Sequence, residues 1–113
     1  METTQAVKAL SALAQESRLA IFRLLVQEGA AGIAAGEIGE ALDLPPATLS
    51  FHLAGLVRAG LAQSRQEGRF VFYSANYENM NALVGFLTEN CCRGRSCKPG
   101  ERDETLPRAR RRA

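Results

Sequence analysis

Residues 37–61 read EIGEALDLPPATLSFHLAGLVRAGL, and this stretch decides the fold. Its first part completes a short helix predicted over about residues 35–42, and residues 43–45 form a turn. Pro46 suits the first position of the next helix, because that position needs no N–H donor. This second helix is predicted to run to about residue 59 and to stop at Gly60. Two helices joined by a tight turn are typical of a helix-turn-helix.

The second of these helices has an apolar side and an outward side. At 100° per residue, the apolar side carries the residues that we expect to face the core, namely Leu49, Leu53, Leu56 and Val57. Phe51 points the opposite way, where thymine methyl groups in a major groove would cover its ring. Taken alone, Phe51 is equally compatible with a surface residue of no function. We predict DNA contacts from the outward and flanking residues, which are Ala47, Thr48, Ser50, Phe51, His52 and Arg58.

Further elements are predicted on both sides of this stretch. Helices are expected over residues 4–14 and 16–28, and the second is apolar nearly all round and therefore central. After Gly60 the pattern changes, and residues 61–65 and 70–75 form a β-hairpin, or wing. A last helix is predicted over residues 77–90. The fold class is mainly α with a small β-hairpin, a winged helix-turn-helix. We expect it to occupy residues 1–92, and residues 93–113 to hold a loop with Cys97 and a disordered basic tail.

Charge alone does not indicate DNA binding. The net charge is +2, but residues 1–92 hold six basic and nine acidic residues, and residues 93–113 hold eight basic and three acidic ones. Nucleic-acid binding therefore depends on where the charges lie. Arg58, Arg65 and Arg69 fall within one 12-residue interval. Arg65 and Arg69 flank the wing turn, where we expect them to contact phosphates or a minor groove, with plain solvated charges as the alternative.

Length and composition exclude several classes of protein. A chain of 113 residues is one domain near the lower size limit for a stable core, which favours a homodimer. We find no run of 18 apolar residues and no secretory signal, so we expect a cytoplasmic protein without a membrane segment. The single histidine has no evident nucleophile partner, and we expect no enzymatic activity.

All three cysteines, Cys91, Cys92 and Cys97, lie within seven residues. In a reducing compartment such a cluster is a ligand set for a thiophilic ion. Structural zinc sites normally use four ligands, whereas three thiolates match trivalent arsenic or antimony. Neighbouring cysteines on an intact helix diverge by about 100°, so we predict that the last helix ends or frays at this pair. Gly94 would then let Cys97 fold back.

Three segments together resemble the ArsR/SmtB family of winged-helix metalloregulatory repressors: ALAQESRLAIFRLL (residues 12–25), residues 37–61, and QEGRFVFYSA (residues 66–75). The DNA-reading signature of the family stands here as Ser50-Phe51-His52-Leu53, Leu56 and Gly60-Leu61. The resemblance covers about residues 4–90. It implies a homodimer in which the first and last helices pack across a two-fold axis, and a palindromic operator with half-sites roughly 34 Å apart. The residues expected at the dimer interface are Val7, Leu10, Leu83, Val84 and Leu87.

Departures from the family pattern indicate where an ion would bind. Well-known arsenic-sensing members carry Cys-Val-Cys-Asp where this chain has Ala34-Ala35-Gly36-Glu37, and the last helix lacks the His and Asp of zinc-binding members. The cysteine cluster is similar to that of an arsenite-responsive branch. The resemblance thus implies a repressor that is released from operator DNA when As(III), or Sb(III), binds the three cysteines, with no organic cofactor.

Three alternatives remain open for the cysteines. They could pack at a helix end, or they could sense oxidants through a Cys92–Cys97 disulfide in a redox-sensing repressor. The chain could also be a thiol-based ion-binding module with no role on DNA.

Overall fold

The structure, a computed structural model, describes residues 1–94 of the chain. Its elements follow in chain order: α1 (Thr3–Leu13), α2 (Glu16–Glu28), β1 (Ile33–Ala34), α3 (Ala35–Leu42), α4 (Pro46–Arg58), β2 (Ala62–Glu67), β3 (Phe70–Ala75), α5 (Tyr77–Leu87) and a 3₁₀ turn (Cys91–Gly94). The predicted fold class, a mainly α winged helix-turn-helix, is confirmed. Among the helices of residues 1–94, none has both the length and the apolar character needed to cross a bilayer.

The turn between α3 and α4 is formed as the sequence indicates. Asp43 ends α3 in the left-handed conformation, with φ 56° and ψ 50°. The N–H of Leu44 donates to the carbonyl of Gly39 at 3.0 Å, which satisfies one of the free carbonyls of that helix end. Pro46 then occupies the first turn of α4, where its missing N–H costs nothing. These local preferences fix the angle at which α4 leaves the turn.

A glycine ends α4 and directs the chain into the wing. Gly60 has φ +80°, and the N–H groups of Gly60 and Leu61 donate to the carbonyls of Val57 and Leu56 at 3.0 and 2.9 Å. This pair of hydrogen bonds is the Schellman arrangement that commonly closes a helix. Asn79 on α5 donates from Nδ2 to the carbonyl of Gly60 at 2.9 Å, so the same turn also positions α5.

The sheet has three antiparallel strands in the order β1-β3-β2. Within the wing, β2 and β3 pair from Ala62 with Ala75 to Glu67 with Phe70. The strand β1, which pairs Ile33 with Tyr73, was not predicted, because two residues are too few to show an alternating pattern. Both wing strands were predicted, and β2 extends two residues further than residues 61–65.

The core is built around α2, which packs against α1, α3, α4 and β3. Its largest fully buried side chains are Ile21, Leu25, Ile38, Leu53, Leu56 and Leu61. The central position predicted for α2 is confirmed. The prediction for Val57 is wrong, since its side chain is 40% exposed. It lies at the edge of the apolar stripe of α4, beyond the reach of the elements that cover Leu53 and Leu56.

The end of α5 and one expected interface residue differ from the sequence prediction. The helix stops at Leu87 rather than near residue 90, and Leu83 is only 6% exposed. Leu83 already belongs to the core of its own chain, so its assignment to a dimer interface is wrong. The other four residues expected there, Val7, Leu10, Val84 and Leu87, are all exposed.

Candidate nucleic-acid interface and thiol cluster

The outward face of α4 is polar or small except for one aromatic ring. Five of the six residues predicted there to contact DNA are exposed, namely Ala47, Thr48, Ser50, Phe51 and Arg58. Phe51 is the most exposed of the large hydrophobic residues on this helix, at 64%. Arg58 lies seven residues later and therefore on the same helical face. The outward face of α4 therefore presents the apolar ring of Phe51 and, toward its C-terminal end, the positive charge of Arg58.

His52 does not lie on an exposed flank, and that prediction is wrong. Its side chain is 8% exposed, with Nδ1 3.2 Å from Nη1 of Arg18 and the ring edge-to-face against Phe51 at 5.4 Å between centroids. A guanidinium only donates hydrogen bonds, so Nδ1 of His52 is the acceptor in this contact. His52 faces inward because its side of α4 packs on the junction of α1 and α2.

Arg18, which was not predicted as a functional residue, joins three parts of the domain. Its Nε donates to the carbonyl of Ala12 at 2.6 Å, and its backbone N–H donates to the Gln15 side chain at 2.9 Å. With the bond to His52, these contacts connect the end of α1, the start of α2 and the recognition helix α4. A signal was available in the sequence, because Arg18 lies three and four residues before the buried Ile21 and Phe22, on the same face of α2.

The two wing arginines differ in their surroundings. Arg65 pairs with Glu67 (Nε to Oε2, 2.6 Å), donates to the carbonyl of Ala31 at 2.9 Å, and lies 5.0 Å from the centre of the Phe72 ring. This is the single ion pair that residues 1–94 form, and it commits much of the Arg65 guanidinium to the protein. Arg69 is exposed in the turn that joins the two strands.

The wing carries an exposed aromatic ring that was not predicted to contact DNA. Phe70 begins β3 and is 60% exposed. Together with Phe51 it gives the domain two exposed aromatic rings on the elements expected to meet DNA. The signal in the sequence is the aromatic run at residues 70–73, which is typical of a strand and also supplies rings that an exposed wing can present to DNA.

The cysteine pair lies just beyond α5, in a segment with unusual backbone angles. Asn90, Cys92 and Arg93 have φ values of 57°, 54° and 53°, in the left-handed region. This conformation removes the divergence that an α-helix would impose, and the Sγ atoms of Cys91 and Cys92 are 3.6 Å apart. Cys91 is half-buried and Cys92 is exposed. The helix was predicted to end or fray at this pair, and it ends earlier, at Leu87, so that both cysteines lie outside α5.

Cys97, the third predicted ligand, lies outside the described residues. Within residues 1–94, no group of three or more His, Cys, Asp or Glu side chains is arranged to hold a metal ion. The structure therefore describes two of the three proposed ligands and brings those two together.

Comparison with known proteins identifies the family. A family model described as a helix-turn-helix domain matches residues 13–65. The transcriptional activator HlyU of Vibrio cholerae is 34% identical over 90 residues, which cover 80% of this chain and 81% of the relative. The arsenical resistance operon repressor of Bacillus subtilis is 34% identical over 92 residues, which cover 81% of this chain and 82% of the relative. The chain belongs to the ArsR family of winged helix-turn-helix transcriptional regulators.

Solved structures agree with this membership. Reduced HlyU from Vibrio cholerae superposes with a TM-score of 0.64 at 34% identity, covering 80% of this chain and 92% of the other. The homodimeric winged helix-turn-helix domain Mb0332 of Mycobacterium bovis, a possible ArsR-family regulator, gives a TM-score of 0.62 at 28% identity, covering 84% and 88%. The expectation of an ArsR-like regulator is thus confirmed. A shared fold does not determine the signal, so the signal must be argued from the residues of this chain.

Proposed function

We propose that this ArsR-family protein is a homodimeric repressor that binds operator DNA through α4 and the wing. In this proposal it is released when As(III) or Sb(III) binds Cys91, Cys92 and Cys97. The observation that carries the sensing assignment is the 3.6 Å separation of the Cys91 and Cys92 Sγ atoms. One of the similar proteins, from Bacillus subtilis, is an arsenical resistance operon repressor, which supports the assignment.

The DNA-contacting surface that we propose follows from exposure. Phe51 would meet thymine methyl groups, and Ser50 and Thr48 would donate to base edges or phosphates. Ala47 allows close approach of the helix to the floor of the major groove. Arg58 and Arg69 would contact phosphates, Arg65 would contribute to a lesser degree because of its internal contacts, and His52 is removed from the contact set by its burial.

The dimer that we propose uses α1 and α5. Val7 and Leu10 on α1 are 54% and 41% exposed, and Val84 and Leu87 on α5 are 53% and 57% exposed. Large apolar side chains grouped in this way on two helices in contact are favourable when a second copy covers them. A two-fold axis between such copies would place two α4 helices in successive major grooves, roughly 34 Å apart.

The cysteine pair fits a single thiophilic ion. Two thiolates bound to one ion at about 2.3 Å each lie within about 4 Å of one another, close to the separation observed here. The two thiols are therefore already at ligand spacing, and little of the conformational entropy of assembling that half of the site remains to be lost. A third thiolate from Cys97 would complete a three-sulfur site for a trivalent ion.

The same cluster is adjacent to the proposed dimer interface. Leu87, an exposed residue of that interface, is the last residue of α5, and Cys91 follows four residues later. Ordering of the segment after α5 would change how the two α5 helices pack and hence the separation of the two α4 helices. Coupling of this kind typically amounts to about 1–3 kcal/mol, or a change in DNA affinity of roughly 5- to 150-fold.

Fluorescence anisotropy tests the proposal, using a labelled duplex that the protein itself selects from a random library. As(III) is expected to release the DNA from the wild type and to leave it bound to a variant with all three cysteines changed to serine. Cys97→Ser alone tests the ligand that lies beyond residue 94. If As(III) also releases the DNA from the triple variant, these cysteines are excluded as the sensor. Native mass spectrometry with arsenite, antimonite, cadmium and zinc would establish which ion binds, and how many per subunit.

Redox sensing is the second candidate, and the exposure of Cys92 favours it over simple packing of the thiols. In this alternative, peroxide oxidises the thiols of Cys92 and Cys97 to a disulfide, and the protein releases DNA. Dithiothreitol would reduce the disulfide and restore binding. Peroxide sensitivity that is lost in Cys92→Ser, together with no release by As(III), would select this alternative. A protein that binds As(III) and selects no DNA would instead be a thiol-based ion-binding module.

A further inference from the structure

Three basic residues of the domain line one groove, which lies beside the recognition face of α4. The groove has a volume of about 460 Å³ and is lined by α1, α2 and the second half of α4. Its polar lining comes from Lys8, Ser11, Arg18 and Arg58, and no acidic side chain lines it. Residues 1–92 hold only six basic residues against nine acids. Half of those basic residues therefore surround one groove in an otherwise acidic body.

The side chains of two of these basic residues lie beside Gly55. A Cβ built at Gly55 would lie 3.5 Å from Cδ of Arg18 and 4.0 Å from Nη2 of Arg58. Like charges on neighbouring side chains repel each other, and an anion bound beside them would relieve that repulsion. Within residues 1–94 neither arginine, nor Lys8, forms an ion pair with a carboxylate. Glu78 lines the adjoining groove with Lys8 and Arg58, and it is the one acid among the lining residues of the two.

The position of the groove indicates which anion would bind there. Arg58 lies on the same face of α4 as Phe51, and Gly55 is next to it on the flank toward α1. An anion in the groove would therefore sit at the border of the surface proposed to enter a major groove. DNA presents a phosphate backbone along both borders of that groove. A helix in the major groove brings the neighbouring protein surface against those phosphates.

We propose that the groove between α1 and α4 binds a phosphate of the DNA backbone, held by Lys8 and Arg58 with Ser11 as a hydroxyl donor. Arg18 forms the inner wall of the groove and keeps it positive, while its Nε and Nη1 hold Ala12 and His52. This inference rests on the proposed DNA-binding function and adds to it α1, an element otherwise assigned only to the dimer. Phosphate contacts set affinity and register and do not read sequence.

The test measures DNA affinity as a function of salt for the full chain, for Arg58→Gln and for Lys8→Gln/Arg58→Gln. Arg58 already has a proposed phosphate contact on the outward face of α4, so the further loss caused by Lys8→Gln reports on the groove. It uses two labelled duplexes of about 30 base pairs, three helical turns, one selected by the wild type and one unrelated. Arg23→Gln serves as a control, because Arg23 is an exposed arginine of α2 that does not line the groove. Between about 50 and 200 mM KCl, the slope of log K against log salt should fall by about 0.9 for each phosphate released, and the double variant should lose more of it than Arg58→Gln alone. Its affinity should fall by a similar factor, about tenfold, on both duplexes.

Each other outcome would overturn the proposal and can be told apart. If the double variant shows the slope and affinity of Arg58→Gln, the groove makes no DNA contact, although DNA binding itself stands. If the wild type binds neither duplex, the proposed function fails together with the groove. If binding of inorganic pyrophosphate, followed by amide chemical shifts, is lost in the double variant while DNA binding is unchanged, the anion is a free one and not a DNA phosphate.

Discussion

The guanidinium of Arg18 lies 3.2 Å from Nδ1 of the buried His52, and this contact connects the junction of α1 and α2 with the inward side of the recognition helix. The same guanidinium donates to the carbonyl of Ala12, the next to last residue of α1. One side chain therefore fixes the helix proposed to form the dimer relative to the helix proposed to read DNA.

Arg18→Ala is expected to lower the free energy of unfolding by about 1–3 kcal/mol. The substitution removes two side-chain hydrogen bonds and leaves the buried Nδ1 of His52 without its donor, which carries the cost of a desolvated, unpaired acceptor. Urea unfolding followed by circular dichroism measures the change. Arg23→Ala is the control, since Arg23 is exposed on the same helix and should change stability by less than about 0.5 kcal/mol. Equal effects of the two substitutions would contradict the structural role of Arg18.

Gly32→Ala is expected to destabilise the domain by about 2–3 kcal/mol, because it combines a backbone conformation unfavourable for alanine with a steric clash. Gly32 has φ +83°, and a Cβ there would lie 2.7 Å from the carbonyl oxygen of Tyr73 in β3. Gly36 in α3 provides the matched control, as its Cβ would meet nothing within 4 Å. Alanine at Gly36 should leave stability unchanged or raise it by up to about 1 kcal/mol. Thermal unfolding of the two variants side by side measures the difference, and a Gly32→Ala domain as stable as wild type would show that β1 does not approach β3 this closely.

Local chemistry made most of the fold predictable. Pro46 at the start of α4 and the glycines after α2 and α4 mark helix boundaries through their own backbone preferences. These boundary residues and the spacing of apolar residues were enough to predict the five helices. The short strand β1 could not be predicted, because its formation depends on the pairing of Ile33 with Tyr73, which lies 40 residues later in the chain. The early end of α5 was not predicted for a different reason. Apolar spacing continues through Leu87, and nothing in TEN (residues 88–90) forbids another turn of helix.

Phe51→Ala is expected to weaken DNA binding with only a small loss of stability. The ring is 64% exposed and packs edge-to-face on His52, so the free energy of unfolding should fall by about 0.5–1.5 kcal/mol. Loss of contacts with thymine methyl groups should cost about 1–3 kcal/mol on the selected duplex and much less on an unrelated one. Anisotropy titrations on both duplexes measure this selectivity. Leu19→Ala, exposed on α2, is the control, and an equal loss from both variants would exclude Phe51 from the groove contact.

The candidate site was less predictable than the fold, and His52 shows why. A helical wheel assigns angles relative to one axis, and it placed His52 on a flank at the border between buried and exposed. Whether such a position is covered depends on which neighbouring helix packs there. In this domain the junction of α1 and α2 covers it, and Arg18 provides the polar partner that makes burial of the imidazole favourable. Lys8 joins the groove for the same kind of reason, since 50 residues separate it from Arg58.

Val84→Glu and Leu87→Glu are each expected to convert the protein to a monomer. Both side chains are more than half exposed on α5, and a carboxylate would have to be desolvated without a partner in a two-fold interface that buries this face. Sedimentation velocity measures the mass in solution, and the loss of the dimer should be accompanied by weaker binding to a palindromic duplex. Leu19→Glu introduces the same charge at an exposed leucine of α2 and should leave the dimer intact. Dimers that persist in both glutamate variants would place the interface on another face of the domain.

Leu83→Ala separates the two roles of α5, which contributes to the core and to the proposed dimer interface. It is expected to lower the free energy of unfolding by about 2–5 kcal/mol through a cavity in the core of the chain, while the folded protein remains dimeric. Urea unfolding and sedimentation velocity measure the two effects, and a folded but monomeric Leu83→Ala protein would return Leu83 to the interface.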